Sequence, residues 1–140
     1  MAPPFIAYAG AYAQGNDTIR LLQVAYDQCR LYRNHLQDPT TKLWKHIELG
    51  SYQDNNLWAT GNGWAAAGMI RVLETIRNSG VSDKFRDQQH DLTDWTEEIV
   101  RASWDRQVRT IPCDRIFWSF DHLHMPTDIR RCPPQHYQRS

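Results

Sequence analysis

The stretch Trp58-Ala-Thr-Gly-Asn-Gly-Trp64-Ala-Ala-Ala-Gly-Met69-Ile-Arg-Val-Leu-Glu-Thr-Ile76 decides how this chain folds. Its second part sets Trp64, Met69, Ile70, Val72, Leu73 and Ile76 among small residues, so the spacing predicts a helix that is apolar on nearly every side. Such a helix has to be surrounded by protein. It is read as starting at Asn62 or Gly63 and ending near Arg77, where Asn78-Ser79-Gly80 stops it. The first part places two indoles around a Gly-Asn-Gly turn at the mouth of that helix. Paired indoles at a turn offer a stacking surface for a flat or ring-shaped ligand, most often a sugar; the competing reading is core packing at a helix entrance.

Outward from this stretch, a second and different helix follows. Ser82 or Asp83 is expected to cap it, and it runs to about Trp104 with Phe85, Leu92, Trp95, Ile99 and Ala102 on one side and a strongly polar remainder. An all-round apolar helix followed across a short link by an amphipathic one has the pattern of the inner and outer helices of a two-layer helical barrel. The N-terminal part repeats it. Residues 3–14 are apolar and Pro-led, Gly15 breaks them, and Asn16 or Asp17 is expected to cap the next helix. From Thr18 to about Leu36, Leu22, Ala25, Tyr26, Cys29, Tyr32 and Leu36 form one stripe. Asp38-Pro39 ends it, because the residue before proline disfavours the helical region. Between the two pairs, Leu43–Leu49 reads as a brief strand or extended loop and Gly50–Asn56 as turn chemistry. The fold class expected is therefore all-α: antiparallel helical hairpins over 1–104. Residues 105–140 are expected to form an irregular tail, either disordered or an out-of-frame continuation.

Composition limits the function classes. The 140 residues suffice for one domain, and 16 basic residues balance 16 acidic ones, so no charge excess points to nucleic acid or an anionic membrane. No apolar run reaches the ~20 residues of a membrane span. The N-terminus has no basic n-region and does not read as a signal peptide, which leaves the compartment unknown. Three cysteines without a repeating spacing argue against a disulfide framework. In the tail, Cys113, His122, His124 and Cys132 are possible zinc ligands, but their spacing fits no finger pattern and chance placement is the better account. No cofactor and no metal are expected. Asp54, with Gln53, Asn55 and Asn56 around it, reads as part of a polar turn and not as an acid for catalysis. Asp27 and Glu74 lie within helices and are assigned no chemistry.

At three places these residues resemble a family. Met1-Ala-Pro-Pro-Phe-Ile-Ala-Tyr8 is similar to the start of an inner helix of the unsaturated rhamnogalacturonyl hydrolases and the wider six-hairpin glycosidases. Leu43-Trp-Lys-His46 is like the segment that brings a histidine to their pocket. Trp58 to Trp64 resembles their tryptophan-bracketed Gly-Asn-Gly signature. The resemblance implies a section of an (α/α)6 barrel and action on oligosaccharides of pectin type that end in an unsaturated uronic acid. There, an aspartate protonates the ring double bond, water adds across it, and the resulting hemiketal opens to release the next sugar. It also implies that His46, Trp58, Thr60, Asn62 and Trp64 are substrate-binding, with Asn62 holding the turn between the indoles. Two departures follow. Thr60 stands where the common pattern has arginine, which pairs a carboxylate in a bidentate way as threonine cannot, and this points to a different substrate. The family's catalytic aspartate precedes the Met-x-x-Pro-Phe segment, so it is expected upstream of Met1, and no catalytic residue is assigned. Twelve helices of ~12 residues with ~5-residue links need roughly 200 residues, so about two hairpins are expected here. The function expected is that of a glycoside hydrolase-like protein, incomplete and inactive alone, with an oligosaccharide as its ligand, no nucleic acid or membrane partner, and self-association through exposed apolar helix faces. The alternatives are a non-catalytic helical module binding carbohydrate or protein, and a small zinc-stabilised protein centred on the tail.

Overall fold

A computed structural model describes residues 2–110, with side chains to residue 107. The four possible zinc ligands of the tail therefore lie outside the described residues. Contacts divide the chain into Met1–Trp104 and Asp105–Ser140, and the account below concerns the first unit. The elements are helix α1 (Ala2–Tyr12), helix α2 (Asn16–Leu36), strands β1 (Lys45–Ile47) and β2 (Asp54–Leu57), helix α3 (Ala59–Arg77), a 3-10 turn (Ser82–Phe85) and helix α4 (Arg86–Thr110). The helical hairpins are thus present, and no helix among the described residues is long and apolar enough to cross a membrane.

The direction of the helices follows from local chemistry. The short link between α1 and α2 turns on Gly15, whose φ of 61° lies in the left-handed region that glycine adopts without strain. Asn16 and Asp17 therefore do not cap α2 as expected: Gly15 is its N-cap residue and no side-chain cap bond forms. Instead the Thr18 hydroxyl reaches back and donates to the Ala13 carbonyl at 2.8 Å. The last turn of α1 lies against the early turns of α2, as an antiparallel hairpin requires. Gly10 makes the approach close, since a Cβ there would sit 3.1 Å from Leu21 Cβ and 3.3 Å from the Leu22 backbone nitrogen.

The two amphipathic helices lie side by side, and their bonds fix their relative sense. Gln88 donates to Gln23, Tyr26 to Asp91 and Arg33 to Glu98, each pair 65 positions apart in sequence. A constant separation is possible only if α2 and α4 run in the same direction. The Tyr26 and Trp95 rings stack 5.7 Å apart, and the Arg33 guanidinium lies 5.2 Å from the Trp95 ring. With short links reversing each pair, α1 and α3 are likewise parallel to one another, and they pack together. This is the alternation of a two-layer helical barrel: inner helices one way, outer helices the other.

The core is shared by all four helices, with Ala7, Leu22, Met69, Ile76, Leu92 and Ile99 among its most buried members. Burial of the Cys29 thiol within it pushes its pKa up to about 12, so this thiol is a packing group. Three expectations are corrected. Tyr32 does not belong to the buried stripe of α2; it is exposed, in the hollow that α2 forms with Ile47–Leu49. Residues 54–57 are not all turn: they pair with β1 in an antiparallel hairpin, with Ile47 opposite Asp54, Lys45 opposite Leu57 and an irregularity between. And α3 is not covered all round in this unit, because Trp64 and Ile70 are exposed beside its buried Ala66, Met69, Val72, Leu73 and Ile76 face. In addition α4 runs past Trp104 to Thr110, where the polar sequence Asp105-Arg106-Gln107 still has good helix formers.

Candidate functional site

The connection from α2 to α3 builds the site. Asp38 organises its first part: its carboxylate accepts the backbone N–H groups of Thr40 (3.0 Å) and Thr41 (2.7 Å). Its own N–H donates to the Leu43 carbonyl at 2.9 Å. The bond from the Thr41 N–H, foremost, and then that from the Thr41 side chain hold the Asp38 carboxyl below the usual carboxylate range. Lys42 completes the turn with a φ of 62°, an uncommon conformation for a residue with a Cβ. The chain then emerges beside the end of α2, where Gln37 and Trp44 bridge, and continues as β1.

Asn62 locks this segment to α3. It is only 3% exposed. Its Oδ1 accepts the Trp44 N–H at 2.7 Å, and its Nδ2 donates to the Trp44 carbonyl at 2.9 Å and the Trp58 carbonyl at 3.1 Å. The side chain mimics a strand neighbour for Trp44 and at the same time ties Trp58 to the opening of α3. With three hydrogen bonds to the backbone of Trp44 and Trp58, the buried Asn62 amide fixes the two tryptophan segments relative to each other.

The Gly-Asn-Gly segment is corrected too. It is not a turn before the helix but part of its opening turns: α3 begins at Ala59, with Trp58 as N-cap residue at φ −88° and ψ 115°. The Asn62 N–H already donates to the Trp58 carbonyl at 3.0 Å. The two glycines differ in duty. A Cβ on Gly61 would meet Trp58 Cε3 at 3.0 Å, whereas one on Gly63 would meet nothing within 4 Å. Gly61 is therefore the seat of the Trp58 indole, and Gly63 leaves a face of the helix open.

Trp58 and His46 come together. Their ring centroids are 5.0 Å apart at an interplanar angle of 60°, an edge-to-face contact. Both lie on a cleft of about 140 Å³ walled also by Leu36, Trp44, Lys45 and Gly61. Trp58 is 51% exposed there, so one indole face is free for a ligand. The indole N–H of Trp44, buried in the wall, meets no acceptor among the described residues. Trp64 is 52% exposed but takes no part in the cleft. At about 100° per residue, six positions along a helix carry it roughly a third of a turn away from Trp58. Thr60 is exposed on the first turn of α3. A larger hollow of about 370 Å³ lies next door, between the outer face of α2 (Leu31, Tyr32, His35) and Ile47–Leu49. Gln28 and Glu48 also line it, but the contact between Trp58 and His46 lies in the smaller cleft.

Sequence reasoning missed Asp54. His46 Nδ1 lies 2.9 Å from Asp54 Oδ2, while Asp54 Oδ1 accepts the Asn56 N–H at 3.0 Å and the Asn56 side-chain amide at 2.7 Å. The bond from His46, then that from the Asn56 N–H, hold the Asp54 carboxyl below its ordinary value. The signal that would have found it is the hairpin itself, which folds Asp54 back beside His46. Its Asp-Asn-Asn-Leu sequence hides a strand that only pairing with β1 creates. Alongside, Lys45 Nζ donates to Glu48 at 2.8 Å. Among the described residues no group of histidine, cysteine, aspartate and glutamate side chains is placed to hold a metal ion.

Inner helices in parallel, a tryptophan-lined cleft at the start of one of them and a histidine delivered by the preceding hairpin match a family pattern along the sequence. The profile of Glycosyl Hydrolase Family 88 matches residues 1–107. The chain belongs to glycosyl hydrolase family 88. No curated protein and no solved structure matches it. The family 88 match covers both helical hairpins and the whole cleft, so the cleft is part of a glycoside hydrolase-like domain.

Proposed function

We propose that this family 88 chain binds oligosaccharides of pectin type whose non-reducing end is an unsaturated uronic acid, with one sugar ring stacked on Trp58 and contacted by His46. The observation that carries the reading is the half-exposed indole of Trp58, seated on Gly61 and braced by the His46 ring at 5.0 Å. A sugar offers one apolar face of C–H groups and an edge of hydroxyls, and this cleft offers an aromatic face beside an imidazole. Trp64 and Thr60, exposed further along the same helix end, would meet other parts of a longer oligosaccharide.

We infer further that this chain does not turn the sugar over by itself. Hydration of the ring double bond needs a proton placed on one alkene carbon while water adds to the other. Among the described residues the carboxylates beside the cleft are Asp54 and Glu48. The bonds from His46 and Asn56 hold the Asp54 carboxyl below its ordinary value, which suits it poorly to donate a proton near neutral pH, and Glu48 is occupied by Lys45 at 2.8 Å. The test is incubation with an unsaturated uronic disaccharide while tryptophan fluorescence and the double-bond absorbance are followed together. A fluorescence change at constant absorbance is expected. Loss of absorbance would refute the inactivity, and an unchanged fluorescence would refute the binding.

A further inference from the structure

The His46–Asp54 pair is built more firmly than a surface contact needs. Asp54 cannot swing away, because its second oxygen is pinned by both the backbone and the side-chain N–H groups of Asn56. The imidazole ring also stands edge-on against Trp58, which narrows its freedom. The hairpin supplies the frame, with His46 on β1 and Asp54 opening β2. Among the described residues Nδ1 of His46 has a partner and Nε2 has none.

We propose that Asp54 is a positioning residue, holding His46 by Nδ1 so that Nε2 accepts a hydrogen bond from a hydroxyl of the sugar ring stacked on Trp58. The inference rests on the carbohydrate reading above and adds which part of the sugar is recognised. An imidazole that gives its Nδ1–H to a carboxylate presents a lone pair at Nε2, which suits a hydroxyl donor and not a carboxylate. The charges around the cleft point the same way. On the hairpin, the Lys45 ammonium is paired with Glu48 and His46 Nδ1 with Asp54, so the cleft wall's lysine already has an anionic partner. From α2 the wall is Leu36, and from α3 it is Gly61 behind the Trp58 ring, so neither helix adds a charged side chain. Position 60 is threonine, so the first turn of α3 contributes no charged side chain. The ring on Trp58 is therefore read by its hydroxyls, with its carboxylate, if it has one, turned from His46.

The full 140-residue chain should be titrated with an unsaturated uronic disaccharide and with the same disaccharide after reduction of its carboxyl to an alcohol. Binding is read from the Trp58 indole N–H resonance, assigned with Trp58→Phe, and the tautomer from the His46 ring nitrogen shifts. The neutral sugar is expected to bind within about threefold of the acid one, with a Kd that salt leaves unchanged, since no ion pair is formed. The His46 shifts should report the Nδ1–H form. Asp54→Ala should mix the tautomers and weaken binding about tenfold, as expected for one lost hydrogen bond. Asp54→Asn, which keeps an acceptor oxygen, should restore most of both. The proposal is overturned if the acid sugar binds more than tenfold tighter and loses affinity in salt, or if Asp54→Ala matches the unaltered chain in tautomer and affinity. Should Asp54→Ala not fold, the tautomer of the unaltered chain and the comparison of the two sugars decide it. If neither sugar moves the Trp58 resonance, the carbohydrate reading itself has failed, and this inference fails with it.

Discussion

Replacing Gly61 and Gly63 by alanine, one at a time, separates the packing of this helix from the building of its cleft. Neither glycine needs a left-handed backbone, so alanine fits both conformations. In a helix interior alanine is favoured over glycine by about 0.5–1 kcal/mol, somewhat less in the opening turns. At Gly63 nothing stands in the way, and Gly63→Ala should raise stability by up to about 1 kcal/mol, a shift of roughly 4–8 °C in Tm for a unit of this size. At Gly61 the new Cβ meets Trp58 Cε3 at 3.0 Å, so the indole must give by a few tenths of an ångström. Because Trp58 is half-exposed, it can move outward at little cost, and Gly61→Ala should fold about as well as the unaltered chain. What it should lose is the Trp58–His46 contact. An aromatic pair of this kind is worth about 0.5–1.5 kcal/mol, so sugar affinity should fall by a factor of roughly two to twelve. Thermal unfolding measures the first effect. The ring-current shift of the His46 protons and an oligosaccharide titration measure the second. If Gly61→Ala leaves that shift and the affinity as Gly63→Ala does, Gly61 is not the seat of the indole and the argument is wrong.

Three further outcomes follow from the same contacts. Asn62→Ala strands the buried N–H and C=O of Trp44 and should cost about 2–4 kcal/mol in chemical unfolding, at about 1–3 kcal/mol for each unsatisfied group. Gly10→Ala should destabilise by about 1–2 kcal/mol despite better helix propensity, because the Leu22 backbone at 3.3 Å cannot yield without parting α1 from α2. A Tm for Gly10→Ala at or above that of the unaltered chain would show that the approach is not tight. Glu98→Gln tests acid stability: burial raises the Glu98 pKa, but the bonds from Arg33 (2.7 Å) and Gln37 (2.8 Å), with the nearby charges of Arg33 and Lys42, outweigh it and lower it overall. A lowered carboxylate contributes stability that is complete above the unfolded value of about 4.3 and is lost as pH falls through the folded value. Thermal midpoints between pH 6 and pH 3 should therefore fall less steeply in Glu98→Gln than in the unaltered chain.

What was legible in the sequence is what depends on periodicity. The stripe of Leu22, Ala25, Tyr26 and Cys29 and that of Phe85, Leu92 and Ile99 are buried as their spacing predicts, because a helix face is set by residues three and four apart. The alternation of an apolar helix with an amphipathic one was enough for the hairpin architecture. What was not legible depends on contacts between distant residues. Tyr32 keeps the helical spacing but falls beyond the reach of α4. Asp54-Asn-Asn-Leu57 has poor strand propensity and forms a strand only because β1 offers it a partner. The helix start was misplaced because Gly-Asn-Gly has the composition of a turn. The penalty for glycine in a first turn is small, and Asn62 ties the opening of α3 backward to Trp58 and sideways to Trp44. The bond to Trp44 joins residues 18 positions apart, which periodicity does not reveal.

The parallel course of α2 and α4 explains why these devices do not interfere with one another. Because the outer helices run one way and the inner helices the other, the link between one hairpin and the next falls at the end where inner helices begin. The cleft is made from that link, β1 and β2, together with the first turn of α3. The turns within hairpins, at Gly15 and at Asn78–Ser79, fall at the opposite end, where Asn78 and Ser79 close α3 by donating to Glu74 and Ile76. Gly10 therefore governs helix packing far from the Trp58–His46 cleft, and Gly61 shapes the cleft without governing packing. Substitutions at the two ends should add in stability, since groups without shared partners are energetically independent. A double variant Gly10→Ala/Gly61→Ala should lose the stability of the first and the cleft contact of the second. A coupling beyond about 0.5 kcal/mol between them would mean that the two ends communicate through α1 and α3, and that the cleft is shaped by the core as well as by its own hairpin.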